Sequence, residues 1–283
     1  MSVRVSDFPP TSAPGASAEP AVTGTQSVFR ALSILHAFSA SQPALTGPEV
    51  AEKFGYSVPT AYRLLRALEA ERFLVFDRVS HKYSPGPEIL RLSGVILNRD
   101  GIMAQTQSSL ERLRALSGET AALFWRLGNQ RTCVQEMVSQ QPAAVEAGLG
   151  VDYPLTRGAA GKALLFSMDD ASVRDFLADP DVTPPAAGVD AFLADLRVSR
   201  ERGYAVSAGE TVEGALSIAA PLGWLHGLAA YSITGPQARL GPRRQEAVAQ
   251  TLLDEMERLK SAMADGRRHG RRPRWQRLMH ATR

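Results

Sequence analysis

LTGPEVAEKFGYSVPTAYRLLRAL, residues 45–68, divides into two short apolar-periodic segments joined by Phe54-Gly55-Tyr56. In the first, Val50, Ala51 and Phe54 share a face, Pro48 stands at an early helical position and Glu49 puts an acid in the first turn. Such a start favours a helix, since proline there gives up only an amide that has no partner. Gly55 ends it. Ser57 offers an N-cap to the second segment, whose Ala61, Leu64, Leu65 and Leu68 recur at helical spacing. Thr60, Tyr62, Arg63 and Arg66 fall largely on the other faces. One face packs, and the other is free to read a partner. Hydroxyls and amides near a helix start hold phosphates and an arginine grips guanine bidentately, which suits a DNA-reading helix-turn-helix. The plain alternative is a helical hairpin inside an enzyme.

The residues that follow favour DNA. Phe73-Leu74-Val75-Phe76 reads as a strand, Asp77 to His81 as a turn, and Lys82-Tyr83-Ser84 as the returning strand closed by Pro85-Gly86. A helix-turn-helix with a small hairpin behind it is a winged helix. Arg78, His81 and Lys82 then stand at the wing tip, within reach of phosphate or the minor groove. Upstream, Ser27 to Phe38 supplies a first helix, with Ser27 as N-cap and Val28, Leu32, Leu35 and Phe38 inward. The candidate DNA contacts are Ser57, Thr60, Tyr62, Arg63, Arg66, Arg78 and Lys82.

A chain of 283 residues with 44% hydrophobic content is long enough for about two domains. Its net charge of +3 is unevenly spread: −1 over residues 1–26, +2 over 27–98, −5 over 99–265 and +7 over 266–283. Nucleic-acid contact is therefore expected at the ends and not in the acidic middle. The seven-arginine tail reads as a solvated extension, with a nucleic-acid or acidic-partner arm as the rival; residues 1–26, rich in Pro, Ala, Ser and Thr, read as disordered. The single Cys133 permits no internal disulfide and reads as an apolar filler, which with the lack of a signal-like run fits a cytoplasmic protein. Residues 214–233 approach the length of a membrane span, but Pro221, Gly223, His226 and Gly227 interrupt them. They read as a buried hairpin. The five histidines are scattered, with no Ser-His-acid trio and no metal-ligand spacing, so no catalytic residue, metal or cofactor is expected.

Pro87 to Leu97 reads as a connecting helix suited to dimerisation, because helix-turn-helix operators are commonly paired half-sites; a plain intradomain helix is the other reading. Residues 101–116 form a further helix with Met103, Leu110, Leu113 and Leu116 inward. A hairpin follows, residues 120–127 and 132–138 around Gly128-Asn129-Gln130. Arg126 or Arg131 on it is placed to hold a carboxylate in a planar fork, against the commoner exposed arginine. Gly158-Ala159-Ala160-Gly161 reads as a loop opening a helix, either to bind an anion on backbone amides or to pack tightly on small residues. Helices at 169–179 and 189–202, a strand near 204–207, the 214–234 hairpin and a last helix from Pro242 to Met263 complete the chain.

Taken in order, several segments resemble the IclR family of bacterial transcription regulators. They are Ser27-Val28-Phe29-Arg30-Ala31-Leu32, Glu49-Val50-Ala51-Glu52, Thr60-Ala61-Tyr62-Arg63-Leu64-Leu65, Tyr83-Ser84-Pro85-Gly86, Pro154-Leu155 with Gly161-Lys162-Ala163-Leu164-Leu165, Gly203-Tyr204-Ala205-Val206, Ile218-Ala219-Ala220-Pro221 and Ser232-Ile233-Thr234-Gly235-Pro236. The resemblance implies an α+β chain in which a winged helix-turn-helix domain (27–86) leads through a dimerising linker helix (87–100) to a GAF-like α/β effector-binding domain with an antiparallel sheet (101–264). A disordered arm (1–26) and a basic disordered tail (265–283) flank it. It also implies effector contacts at Ala159, Ala160, Ser207, Ser217, Ser232 and Thr234. The chain departs from the family where an acid is common at Ser207, a cysteine in some members at Ser217, and Lys-Ser at Val58-Pro59. The implied partners are a double-stranded DNA operator, a small organic acid or aromatic metabolite, and further copies in a homodimer or homotetramer, with no membrane. The alternative is an architectural or weakly specific DNA-binding protein using the arginine-rich tail.

Overall fold

The computed structural model describes residues 25–39, 42–97, 102–225 and 227–268, and the chain divides into two compact units between residues 99 and 100. The first unit holds α1 (Gln26–Leu35), α2 (Gly47–Phe54), α3 (Val58–Ala70), β1 (Leu74–Asp77), β2 (Lys82–Pro85) and α4 (Pro87–Leu97). Thr46 and Glu49 form a reciprocal cap on α2: the Thr46 hydroxyl accepts from the Glu49 amide, and the Glu49 carboxylate accepts from the Thr46 amide at 2.6 Å. Gly55, in the left-handed region, closes the helix. Ser57 caps α3 by accepting from the Thr60 amide at 3.4 Å. Ala61, Leu64, Leu65 and Leu68 are buried with Leu45, Val50, Leu74 and Tyr83, and each large apolar side chain so buried contributes roughly 1.5–3 kcal/mol.

Two expectations for α1 need correction. Its N-cap residue is Thr25, and Ser27 lies inside the helix. Its inward residue is Ile34, with Ala31 and Leu35 partly buried; beyond the helix end Ala37 is buried and Phe38 packs on the same core, so Leu35 and Phe38 lie inward as expected. Val28 and Leu32 are 56% and 49% exposed. Apolar residues occur around most of this helix, so periodicity leaves its phase open and packing against α3 decides it.

The wing is an antiparallel pair in which Phe76 faces Tyr83 and Asp77 faces Lys82, with Leu45 bridged to Tyr83 as a third strand-like contact. The Asp77 carboxylate organises its tip by accepting from the Val79 amide at 2.9 Å and the Ser80 hydroxyl at 2.6 Å. The Ser80 hydroxyl, followed by the backbone amides, holds the Asp77 carboxyl below its ordinary range. Its contribution is therefore present above the unfolded-state pKa and is lost as pH falls through the lower folded value. Asp77→Ala is expected to raise amide hydrogen exchange at Val79 and Ser80 while leaving the helical core protected; unchanged exchange there would remove Asp77 as the tip's organiser.

The second unit holds α5 (Ile102–Ser117), β3 (Thr120–Leu127), β4 (Gln130–Met137), β5 (Asp152–Pro154), α6 (Gly158–Leu164), α7 (Asp170–Ala178), α8 (Val189–Arg202), β6 (Ala205–Ala208), β7 (Ala215–Pro221), β8 (Ala229–Pro236) and α9 (Pro242–Arg268). Its strands form one antiparallel sheet in the order β5-β4-β3-β8-β7-β6. Strand residues alternate between two cores. Ala121, Leu123, Ile218, Tyr231 and Ile233 pack with Leu110 and Leu113 of α5 and with Val248, Leu252, Met256 and Leu259 of α9. Ala122, Phe124, Ala219 and Ala230 pack with α6, α7 and α8. Burial on both faces explains the nearly continuous apolar run through β7 and β8, a pattern usually associated with parallel sheets. Among the described residues no helix is long and apolar enough to cross a membrane.

Three details differ from the expected second unit. Leu116 is 70% exposed, because α5 turns Thr106, Ser109, Leu110, Leu113 and Ser117 inward, a stripe whose hydroxyl members a search for apolar residues misses. Gly158-Ala159-Ala160-Gly161 is the first turn of α6 and not a loop. Finally, α9 continues to Arg268; residues 269–283, with most of the arginine-rich tail, and the arm 1–24 lie outside the described residues.

Candidate functional site

In the first unit the outer face of α3 carries the expected residues in unequal states. Arg63 is exposed and has no side-chain partner among the described residues. Thr60 shares a 2.8 Å hydrogen bond with the Ser57 hydroxyl. Tyr62 covers Gly47, where a Cβ would fall 2.5 Å from the ring, so part of its role is to seat α3 on α2. Arg66 lies at the Tyr83 hydroxyl, whose pKa burial raises and Arg66 partly restores; it ties α3 to the wing. Arg78 is exposed at the wing tip and Lys82 partly so. Sequence reading misses Arg30, whose guanidinium stacks 5.4 Å from the Tyr56 ring centroid and braces the turn between α2 and α3.

In the second unit a cavity of about 30 Å³ lies on the α6 side of the sheet, room for about two waters by the ~10–15 Å³ that each requires. Ala160, Ser217, Ser232 and Thr234 line it. Strand register brings them together, since Ser217 faces Thr234 across β7 and β8 and their hydroxyls hydrogen-bond at 3.0 Å. Ala159 and Ser207 are buried but do not line the cavity; Ser207 pairs with Ser217 one strand further out, on the edge strand β6. Phe124, Arg131 and Tyr153 form a wall. Two loops cover the cavity, and Val145 of the first meets Val212 of the second in a small apolar cluster with Ala215.

Of the two readings of the glycine-alanine segment, tight packing describes Gly161, where a Cβ would collide with the Leu155 carbonyl. At Gly158 the amide donates to a carboxylate, but one from within the chain: Glu210, at 2.8 Å. The other Glu210 oxygen accepts from Lys162 at 2.7 Å, and Lys162, almost fully buried, also pairs with Asp195. Gly158 serves Arg131 as well. A Cβ there would lie 2.7 Å from the guanidinium, and its φ of +76° is one that side-chain-bearing residues rarely adopt. Burial holds the pKa of Arg131 down to about 10, which leaves it charged at neutral pH, and pushes that of the Cys133 thiol, two residues along β4, up to about 12, which leaves it protonated.

The model of the bacterial transcriptional regulator IclR C-terminal region matches residues 95–260, and that of the IclR helix-turn-helix domain matches residues 27–78. The chain belongs to the IclR family. As an IclR-type transcriptional regulator it combines a DNA-binding helix-turn-helix domain with an effector-binding domain. It is 26% identical over 256 residues to the HTH-type transcriptional repressor AllR of Escherichia coli K12, an alignment covering 88% of this chain and 94% of that one. An IclR regulator from Alicyclobacillus acidocaldarius superimposes with a TM-score of 0.73 at 25% identity, covering 83% of this chain and 97% of its own. An IclR homologue from Microbacterium hydrocarbonoxydans, solved with 4-hydroxybenzoate, shares the fold with a TM-score of 0.70 at 18% identity, covering 84% and 99%.

Proposed function

We propose that this IclR-family chain is a cytoplasmic one-component regulator that reads a double-stranded DNA operator with α3 and the wing and is switched by a small organic acid or aromatic metabolite in the second unit. The observation that carries the proposal is the division of α3 into a fully buried apolar face and an outer face on which Arg63 is exposed and without a side-chain partner among the described residues. Ser57, Thr60, Tyr62, Arg66, Arg78 and Lys82 complete the DNA surface in this reading, with Ser57, Thr60 and Tyr62 also shaping the helix start. Pairing of copies through α4 is supported by its exposed Leu90, Leu92 and Val95 and by the two-fold operators that helix-turn-helix proteins commonly read. Ala159, Ala160, Ser207, Ser217, Ser232 and Thr234 form the proposed effector surface, the first and third as buried support. The 4-hydroxybenzoate held by the Microbacterium relative is a molecule of the proposed class.

Enrichment of random duplex DNA by the purified protein near physiological salt tests the operator reading, because non-specific phosphate binding is weak there. A pseudo-palindromic motif is expected. On that motif Arg63→Ala is expected to weaken binding by roughly 1–3 kcal/mol and relax one base position in each half-site; enrichment with no sequence preference would overturn the proposal.

A further inference from the structure

Arg131 is the residue that the proposed function leaves unexplained. It is 3% exposed on β4, second from the edge of the sheet. Its guanidinium lies against two rings that meet edge to face, 5.0 Å from the Phe124 ring centroid and 4.8 Å from that of Tyr153. One terminal nitrogen donates to the Pro154 carbonyl at 2.9 Å. Its Nε is buried without a partner, and so is the Ser232 hydroxyl; both residues line the same cavity. Among the described residues no carboxylate lies within ion-pair distance of Arg131. Glu210, the acid that acts on it most strongly, has both oxygens engaged by Lys162 and the Gly158 amide.

A buried charge is costly unless it is paired, and a buried donor left without a partner costs a further desolvation penalty. Chains normally meet that cost with an internal acid. Here Glu210 is occupied elsewhere, Glu146 lines the cavity without pairing with Arg131, Gly158 makes room for the guanidinium, and two rings flank it. What is missing is a planar anion able to accept from Nε and a hydroxyl at once.

We propose that Arg131 is the anchor for a carboxylate: the effector is a small monocarboxylic acid whose carboxylate accepts from Arg131 and from the Ser232 hydroxyl. This deepens the proposed effector function and rests on it. The cavity admits the carboxylate itself, and the rest of the molecule extends under the loops carrying Val145 and Val212. The arginine fork suits the two oxygens of a carboxylate better than a point charge does. The aromatic walls leave the guanidinium weakly hydrated and favour an acid carrying apolar or aromatic bulk.

The test measures affinities of the full-length protein for glycolate, lactate, benzoate and 4-hydroxybenzoate, each against its neutral amide, by calorimetry and by release of the enriched operator. At least one acid is expected to bind roughly ten- to a hundredfold more tightly than its amide, the range of one charge-assisted interaction. Arg131→Met should bring that ratio close to one, while Arg131→Lys should keep part of it and Ser232→Ala reduce it a few-fold. Arg131→Met should also unfold no earlier than the parent in the absence of ligand, because it removes an unpaired buried charge; this separates loss of an anchor from loss of fold. If none of the acids binds, or if the acid-to-amide ratio survives Arg131→Met, the anchor is overturned. If an acid binds through Arg131 but never alters operator occupancy, the anchor stands and the effector function fails instead.

Discussion

Arg239→Met is expected to cost the second unit roughly 3–5 kcal/mol, the usual penalty for stranding one member of a buried ion pair. Glu119, at the junction of α5 and β3, has a side chain that is 1% exposed. Arg239 meets it with a two-pronged hydrogen bond, Nε to one carboxylate oxygen and a terminal nitrogen to the other, both at 2.7 Å. The remaining terminal nitrogen donates to the Pro142 carbonyl at 2.6 Å. That pair fastens the segment between β8 and α9 to the start of β3. Methionine keeps most of the bulk but leaves the buried Glu119 carboxylate without its two-pronged partner. For a unit of this size the loss corresponds to a fall in Tm on the order of 10 °C. Glu119→Leu combined with Arg239→Met removes both charges and should recover most of the stability, since an apolar pair of similar volume is often neutral relative to the ion pair. Denaturant unfolding of both variants decides the matter; a single-variant loss below about 1 kcal/mol would mean that water reaches Glu119 and the pair behaves as a surface one.

The same contrast between local and distant interactions governs what can be read from the chain. Caps and helical stripes are local. Ser57, Gly55 and the Ala61-Leu64-Leu65-Leu68 face are legible because one turn of helix contains all the physics involved, and the wing follows from alternating strands around a turn-forming Asp77. The phase of α1 is not legible, because apolar side chains at 28, 29, 31, 32, 34 and 35 surround most of it and only packing against α3 selects among them. The cavity is a different case. Ser217, Ser232 and Thr234 meet through the register of strands β7 and β8, and no local pattern specifies that register, so their grouping comes from the family resemblance. Arg131 lies between these cases. Its fork chemistry is visible in the sequence, but its burial depends on two aromatic rings, a glycine 27 positions away and two covering loops. Glu210 escapes sequence reading for the same reason, since its partners Gly158 and Lys162 lie on α6.

Lys162→Met is expected to cost roughly 2–3 kcal/mol and to weaken acid binding as well, which separates it from a purely structural change. The Lys162 ammonium donates to Asp195 and Glu210, each at 2.7 Å, and to the Val206 carbonyl at 3.2 Å. Its own side chain is 7% exposed, whereas those of the two acids are 41% and 32% exposed. Both acids can therefore turn to water when the lysine is lost, which places the penalty below the full range for a stranded buried charge. Glu210 also starts the loop that carries Thr211 and Val212 over the cavity. Released from Lys162, its carboxylate is free to turn towards Arg131, the cation on which it already acts, and so to compete with an incoming carboxylate. Amide hydrogen exchange at Thr211 and Val212 should rise in Lys162→Met by more than the global loss of stability accounts for, and the acid-to-amide affinity ratio should fall. Adding Glu210→Gln should restore much of that ratio without restoring the stability, because the competing charge is gone while the ion pairs remain broken. If the second substitution leaves the ratio unchanged, Glu210 acts only as a tether for the loop, and the electrostatic coupling between it and the ligand anchor is ruled out.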